Sequence, residues 1–130
     1  MVRILVVDDK PNIRDWVREF LAAQSEWQVI GEAADGLKAV EQAASLHPRL
    51  IILDISMPEM NGFDAARQIL KASPDILILI LSLTYDRQYA QGAMECGAKG
   101  FVVKSDAAKV LIPAISALLR GELYFPPLAD

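Results

Sequence analysis

Five short runs of apolar, mostly branched residues alternate with longer segments of helical period, and that alternation constrains the fold of this chain more than any other feature. The runs are Arg3–Val7, Gln28–Glu32, Leu50–Leu53, Ile76–Leu81 and Gly100–Val103. Three of them are almost continuously apolar, the pattern of strands covered on both faces. Between and after them, Asn12–Ala23, Gly36–Ser45, Gly62–Lys71, Tyr85–Cys96 and Asp106–Leu119 repeat with helical spacing. In the first of these, Ile13, Trp16, Val17, Phe20 and Leu21 fall three and four apart and predict one buried stripe. Strict strand–helix alternation predicts parallel strands joined by right-handed crossovers, an α/β sandwich with helices on both faces of a five-stranded sheet.

The helix punctuation agrees. Pro11 suits a first helical turn, Gly97 a cap after the fourth helix, and His47-Pro48 the end of the second, with His47 favoured there by the helix dipole. Pro113 predicts a kink in the last helix or a late start to it. The 130 residues are enough for one domain with its own core, and the single Cys96 leaves no internal disulfide and suits a reducing cytoplasm. Thirteen basic against seventeen acidic residues argue against phosphate-backbone binding by this domain itself. No apolar run approaches the length of a membrane span or a signal peptide.

In an open parallel sheet, ligands collect beyond the carboxyl ends of the strands. There the first strand ends in Asp8-Asp9, the third in Asp54 and the fourth in Ser82, while the fifth runs into Lys104. Three carboxylates brought close together repel, so one protonates or a cation binds. Mg²⁺, or Mn²⁺ in its place, takes carboxylate and water oxygens and readily accepts a phosphate oxygen. Aspartate also attacks phosphorus to form an acyl phosphate, whose added charge Lys104 and a divalent ion would balance while Ser82 donates to a phosphoryl oxygen. Against this stand plainer roles: Asp8 or Asp9 as a cap of the first helix, Ser82 as a strand-end cap, Lys104 as a solvated cation. The joint placement of all of them on one sheet edge favours the phosphoryl reading.

The stretches Val6–Asp9, Asp54-Ile55-Ser56-Met57-Pro58-Glu59-Met60-Asn61-Gly62, Leu81-Ser82 and Gly100–Lys104 resemble the receiver domain of two-component response regulators over essentially the whole chain. Gly100–Asp106 and Leu118–Tyr124 are similar to the NarL/FixJ subgroup, in which a LuxR-type helix-turn-helix domain follows. The resemblance implies a flavodoxin-like, CheY-like sheet of order 2-1-3-4-5, with residues 1–120 as receiver and 121–130 as a tail or the start of a linker. It implies that Asp54 accepts phosphate from a sensor histidine kinase, in a cytoplasmic switch that is not itself an enzyme. Asp8, Asp9, Asp54 and the Ser56 carbonyl would hold the metal, and Ser82 and Lys104 the phosphoryl group. Phe101 would be the switch aromatic, and Ser56 and Thr84 would tune the rates. A phosphorylation-dependent homodimer is the expected assembly. Ser105 stands where receivers often have Pro, so a cis peptide after Lys104 is not assumed, and Phe101 lacks the hydroxyl of the more frequent Tyr.

Other readings fit less well. A haloacid-dehalogenase-like phosphatase wants Asp-x-Asp and an inserted cap, whereas Asp8 and Asp9 are adjacent and no insertion exists. A flavin carrier needs a Ser/Thr/Gly phosphate cradle where Asp8-Asp9-Lys10-Pro11 stands. A stand-alone receiver working by protein contact remains an alternative output. Cys96 reads as a small buried hydrophobe, Trp16 and Trp27 as core or boundary aromatics, and Arg14, Arg18 and Glu19 as a solvated face. Met57 and Met60 beside the acidic loop fit packing or a partner contact equally. Residues 84–95 with the last helix form the candidate partner surface.

Overall fold

A computed structural model describes residues 1–58 and 60–128. Five strands, β1 (Val2–Val7), β2 (Trp27–Ala33), β3 (Leu50–Leu53), β4 (Leu77–Ser82) and β5 (Gly100–Val103), alternate with α1 (Pro11–Leu21), α2 (Gly36–Leu46), α3 (Gly62–Ala72), α4 (Arg87–Cys96) and α5 (Ala107–Leu119). All strand pairs are parallel, in the order β2-β1-β3-β4-β5. This is the expected doubly wound sheet, and strand boundaries move by at most one residue from those read in the sequence. Glu59, in the middle of the acidic loop's motif, lies outside the described residues.

The period-two alternation of the strands sorts their side chains into two cores. Leu5, Val7, Ile51, Leu53, Ile78, Ile80 and Phe101 meet α2, α3 and α4. Ile4, Val6, Leu50, Ile52, Leu79, Leu81 and Val102 meet α1 and α5. Each fully buried Leu or Ile contributes about 1.5–3 kcal/mol by leaving water, so the two layers hold β1, β3 and β4 rigidly at the middle of the sheet. The carboxyl ends of those three strands carry the polar residues of interest.

Some local expectations need correcting. The α1 stripe is not wholly buried: Val17 and Leu21 are, Ile13 and Phe20 are half-buried, and Trp16 is 39% exposed and stacks on Phe20 at 4.7 Å. Trp16 lies at the rim of the helix–sheet seam, where one ring face finds a partner and the other meets water. The last helix starts at Ala107 and runs through Pro113 instead of starting late. Pro113 is exposed, so its ring occupies the solvent side, where the missing amide bond costs least. His47 ends α2 through a left-handed backbone (φ 49°) and its carbonyl accepts from Arg3. Gly97 ends α4 at φ 93°, a conformation only glycine adopts freely. Cys96 is buried, its thiol donating to the Ala93 carbonyl at 3.1 Å, and burial pushes its pKa up.

Candidate functional site: an acidic cluster at the strand ends

Among the described residues, the only buried polar side chains of the cores are Asp8, Asp54 and Ser82, at 1%, 2% and 3% exposure. Parallel pairing puts them there: Val7 is level with Leu53, and Leu53 with Ile80, so the next residues of β1 and β3 emerge side by side. Carboxylate oxygens of Asp8, Asp9 and Asp54 lie within 4.8 Å of one another. Asp9 is the outermost, its side chain 31% exposed and in contact with Lys10 at 3.4 Å.

Lys104 follows β5 directly and brings its ammonium into the same place. Its side chain is 9% exposed, with Nζ 2.8 Å from Asp8 Oδ2 and 3.7 Å from Asp54 Oδ1. The solvated-lysine role is therefore excluded. So is helix capping by the acidic pair: the cap residue of α1 is Lys10, with no side-chain cap bond, and Asp8 Oδ1 instead accepts the Lys10 amide at 2.9 Å.

Charge counting leaves the cluster unbalanced: three carboxylates face the buried Lys104 ammonium and the half-exposed Lys10 ammonium at its rim. Asp54 Oδ1 accepts the Ser56 amide at 3.2 Å, but Asp54 Oδ2 is buried with no hydrogen-bond partner. Asp8 Oδ2 is in a similar position, because its 2.8 Å contact with Lys104 is a charge contact without hydrogen-bond alignment. Orphaned buried carboxylate oxygens are costly, and a hard divalent cation satisfies them. The donor set thus fits Mg²⁺: all-oxygen, anionic and partly open to water at Asp9. Burial, followed by the charge of Asp8, pushes the Asp54 carboxyl above its ordinary range, while Lys104 and the Ser56 amide pull it back.

Ser82 sits at the end of β4 level with Val103, and its hydroxyl oxygen accepts the Thr84 amide at 3.4 Å. No hydrogen bond joins it to the carboxylates among the described residues. Ser56 and Thr84 are exposed at the rim. Phe101 is fully buried, with the Tyr85 ring against it at 4.6 Å and 55°. The Lys104–Ser105 peptide is trans, there being no cis bond among the described residues.

Sequence reasoning missed two features. Arg14 is not part of a solvated face: its side chain is 17% exposed, one nitrogen donating to the Asp8 carbonyl at 2.7 Å and Nε to Glu32 at 3.0 Å. Arg18 also reaches Glu32, so two cations and one carboxylate of β2 brace the turn that carries the acidic pair. A basic residue one turn into α1 was the available signal. The second is the reason for the glycine that ends the Asp54–Gly62 loop. A β-carbon at Gly62 would lie 2.3 Å from the Asp54 carbonyl oxygen and 2.6 Å from Ile55 Cα. Only a residue without a side chain lets α3 start against the backbone of the central aspartate.

The response regulator receiver domain model matches residues 4–116. This chain is a response regulator receiver domain. DegU, a transcriptional regulatory protein of Brevibacillus brevis, is 33% identical over 126 residues, covering 97% of this chain and 53% of its own length. The response regulator VraR of Staphylococcus aureus is also 33% identical over 126 residues, again over 97% of this chain and 60% of its own. The receiver domain therefore spans between half and two-thirds of those curated relatives. A LuxR-family two-component response regulator from Aurantimonas superposes with a TM-score of 0.93 at 31% identity, covering 98% of this chain and 91% of that one. The NarL receiver domain of Mycobacterium tuberculosis gives 0.85 at 29% identity, over 93% and 98% of the two chains. These relatives agree with the expected NarL/FixJ subgroup. Receiver domains are signalling switches that bind Mg²⁺ in an acidic pocket and work with histidine kinases, which sets aside the small-molecule phosphatase and flavin-carrier readings. Among the described residues no helix is long and apolar enough to cross a membrane.

Proposed function

We propose that this receiver is the phosphoacceptor switch of a cytoplasmic two-component pathway. Asp54 takes a phosphoryl group from a sensor kinase's phosphohistidine, and the output is transcriptional, through a DNA-binding domain beyond residues 1–120 to which 121–130 lead. The observation that carries this reading is the unengaged Asp54 Oδ2 inside a cluster of net negative charge next to the Lys104 ammonium. In the transfer, a carboxylate oxygen of Asp54 forms a bond to phosphorus as the phosphorus–nitrogen bond of the phosphohistidine breaks. The electron pair of that bond returns to the imidazole, which leaves with a proton from water.

Mg²⁺, held by Asp8, Asp9, Asp54 and the Ser56 carbonyl, supplies positive charge for the phosphoryl oxygens when it is bound. The protein's own groups do the rest. The Ser56 amide fixes one oxygen of Asp54, so the carboxylate meets phosphorus in a set orientation. Lys104 neutralises charge that develops on the phosphoryl oxygens, and its ammonium opposes the burial that pushes the Asp54 carboxyl up. Ser82 donates its hydroxyl to a phosphoryl oxygen, while the exposed side chains of Ser56 and Thr84 control access of water and so the lifetime of the acyl phosphate. The DNA-binding output rests on the family of the relatives and on the fraction of their length that this receiver spans. A phosphorylation-dependent homodimer is the expected assembly.

Intact-mass spectrometry after incubation with Mg²⁺ and acetyl phosphate tests the reading. Wild type gains the mass of one phosphoryl group; Asp54→Asn and chelated protein gain none. Equal gain by Asp54→Asn overturns it.

A further inference from the structure

The segment after α5 does not leave the domain; it runs along the free edge of the sheet. Tyr124 makes a parallel bridge with Gly100, its amide donating to the Lys99 carbonyl at 3.0 Å and its carbonyl accepting from the Phe101 amide at 2.8 Å. Phe125 packs on the core that contains Phe101. One residue further, the Pro126 carbonyl accepts a 2.8 Å hydrogen bond from the Tyr85 hydroxyl, across 41 residues of chain. Burial pushes the Tyr85 pKa up, so the phenol keeps the proton it donates at neutral pH.

Tyr85 is also the residue directly after Thr84, whose amide is held at the phosphoryl site. Ser82 Oγ holds the Thr84 amide at 3.4 Å, and Leu83 and Thr84 between them are exposed, with Leu83 at 69%. The link from Asp54's neighbourhood to the tail is therefore short: Ser82, Thr84, Tyr85, Pro126. Phe101 is already fully inside, so it has no inward swing left to make. The half-buried Tyr85 ring over it is the aromatic able to move.

We propose that residues 123–128 form a strap over the β5 edge, latched by the Tyr85 hydroxyl, and that a phosphoryl group on Asp54 opens the latch by drawing the Leu83–Asp86 loop toward the site. The proposal rests on the phosphoacceptor reading of Asp54. A phosphoryl oxygen gives Ser82 and the Thr84 backbone contacts that exist only in the drawn-in loop, and that difference is what shifts the equilibrium. The hydroxyl bond has little slack at 2.8 Å, because a displacement of about 1 Å takes it beyond hydrogen-bonding distance. Two backbone bonds and Phe125 are then left to hold the strap, a set weak enough to open locally while the core stays closed. Opening frees the Lys99 carbonyl and the Phe101 amide at the sheet edge and releases the chain that continues toward residue 130.

Amide exchange read residue by residue by NMR tests this on the whole chain. In wild type, the Tyr124 and Phe101 amides exchange slowly. With Mg²⁺ and beryllium fluoride as the phosphoryl mimic, they exchange at least twofold to tenfold faster, about the ratio given by loss of one neutral hydrogen bond. Tyr85→Phe without the mimic shows a rise of the same size, while amides of β1 and β3 keep their rates. If the mimic shifts the Ser82 and Lys104 signals but leaves Tyr124 protection unchanged, the coupling is wrong and the phosphoacceptor reading stands. A mimic that shifts neither signal overturns that reading and the coupling with it. Unchanged exchange in Tyr85→Phe, or a rise shared by β1 and β3, overturns the latch.

Discussion

Replacing Asp54 by Asn removes one of three clustered negative charges while preserving shape and the acceptor for the Ser56 amide. The pairwise terms oppose each other. At 3.7 Å, Lys104 attracts Asp54 by about 4–5 kcal/mol at an effective dielectric near 20, and Asp8, with a carboxylate oxygen no more than 4.8 Å away, repels it by at least about 3 kcal/mol. Asp9 adds repulsion, so the sign is decided by desolvation of a carboxylate that is 2% exposed. Protonation caps the cost: from the ordinary value of 3.8 to pH 7 is about 3 pH units, or about 4 kcal/mol. The metal-free Asp54→Asn protein is therefore about 1–4 kcal/mol more stable than wild type at pH 7, a rise in Tm of roughly 3 °C per kcal/mol for a domain of this size. The pH dependence has a definite sign. Because the folded-state pKa of Asp54 is raised, its contribution to stability is full below pH 3.8 and is lost as pH rises through the folded value. Urea denaturation in EDTA across pH 4–8 should show that loss in wild type and not in Asp54→Asn. Millimolar Mg²⁺ should then restore wild type more than the variant. A variant less stable than wild type in EDTA at pH 7, or an identical pH slope, refutes the reasoning.

Three further outcomes follow from the same contacts. Lys104→Met leaves Asp8 and Asp54 uncompensated in the interior, so metal-free stability falls by about 3–5 kcal/mol on urea denaturation, and phosphoryl gain from acetyl phosphate is lost even where the fold survives. Gly62→Ala places a methyl 2.3 Å from the Asp54 carbonyl oxygen, costing about 1–3 kcal/mol by overpacking; phosphorylation should slow as well, whereas Gly121→Ala, with open space around it but φ of 85°, should affect stability alone. Arg14→Gln loosens the turn carrying Asp8 and Asp9, and Mg²⁺ titration followed by Trp16 fluorescence should report weaker binding, by on the order of tenfold as for other residues that orient metal ligands.

The parts of this molecule legible in its sequence are those set by local period and by topology. Near-continuous runs such as Leu50–Leu53 fix buried parallel strands, and once the strands are parallel, the residues that follow them have to share one edge. The meeting of Asp8, Asp54 and Lys104, and the place of Ser82 at the same sheet edge, are legible for that reason, because neither depends on side-chain detail. The reading failed where a residue's role depends on a partner distant in sequence. Arg14 looks solvated until β2 brings Glu32 beside it, and Trp16 fits the helical stripe although it lies at that stripe's edge. Pro113 predicts a break only if its ring faces the core; on the exposed side of α5 the helix passes through it. The Tyr85–Pro126 bond spans 41 residues between two segments with no regular period, and no pattern in either announces the other.

Borohydride reduction after phosphorylation reports most directly on the chemistry of the cluster. Hydride converts an acyl phosphate to an alcohol, so trapping the protein treated with Mg²⁺ and acetyl phosphate turns the modified aspartate into homoserine, which peptide sequencing then locates. The account predicts conversion at Asp54 alone, and only when Mg²⁺ is present. Conversion at Asp8 or Asp9, a phosphoryl group on Ser82 that resists reduction, or conversion at Asp54 undiminished by EDTA would contradict it.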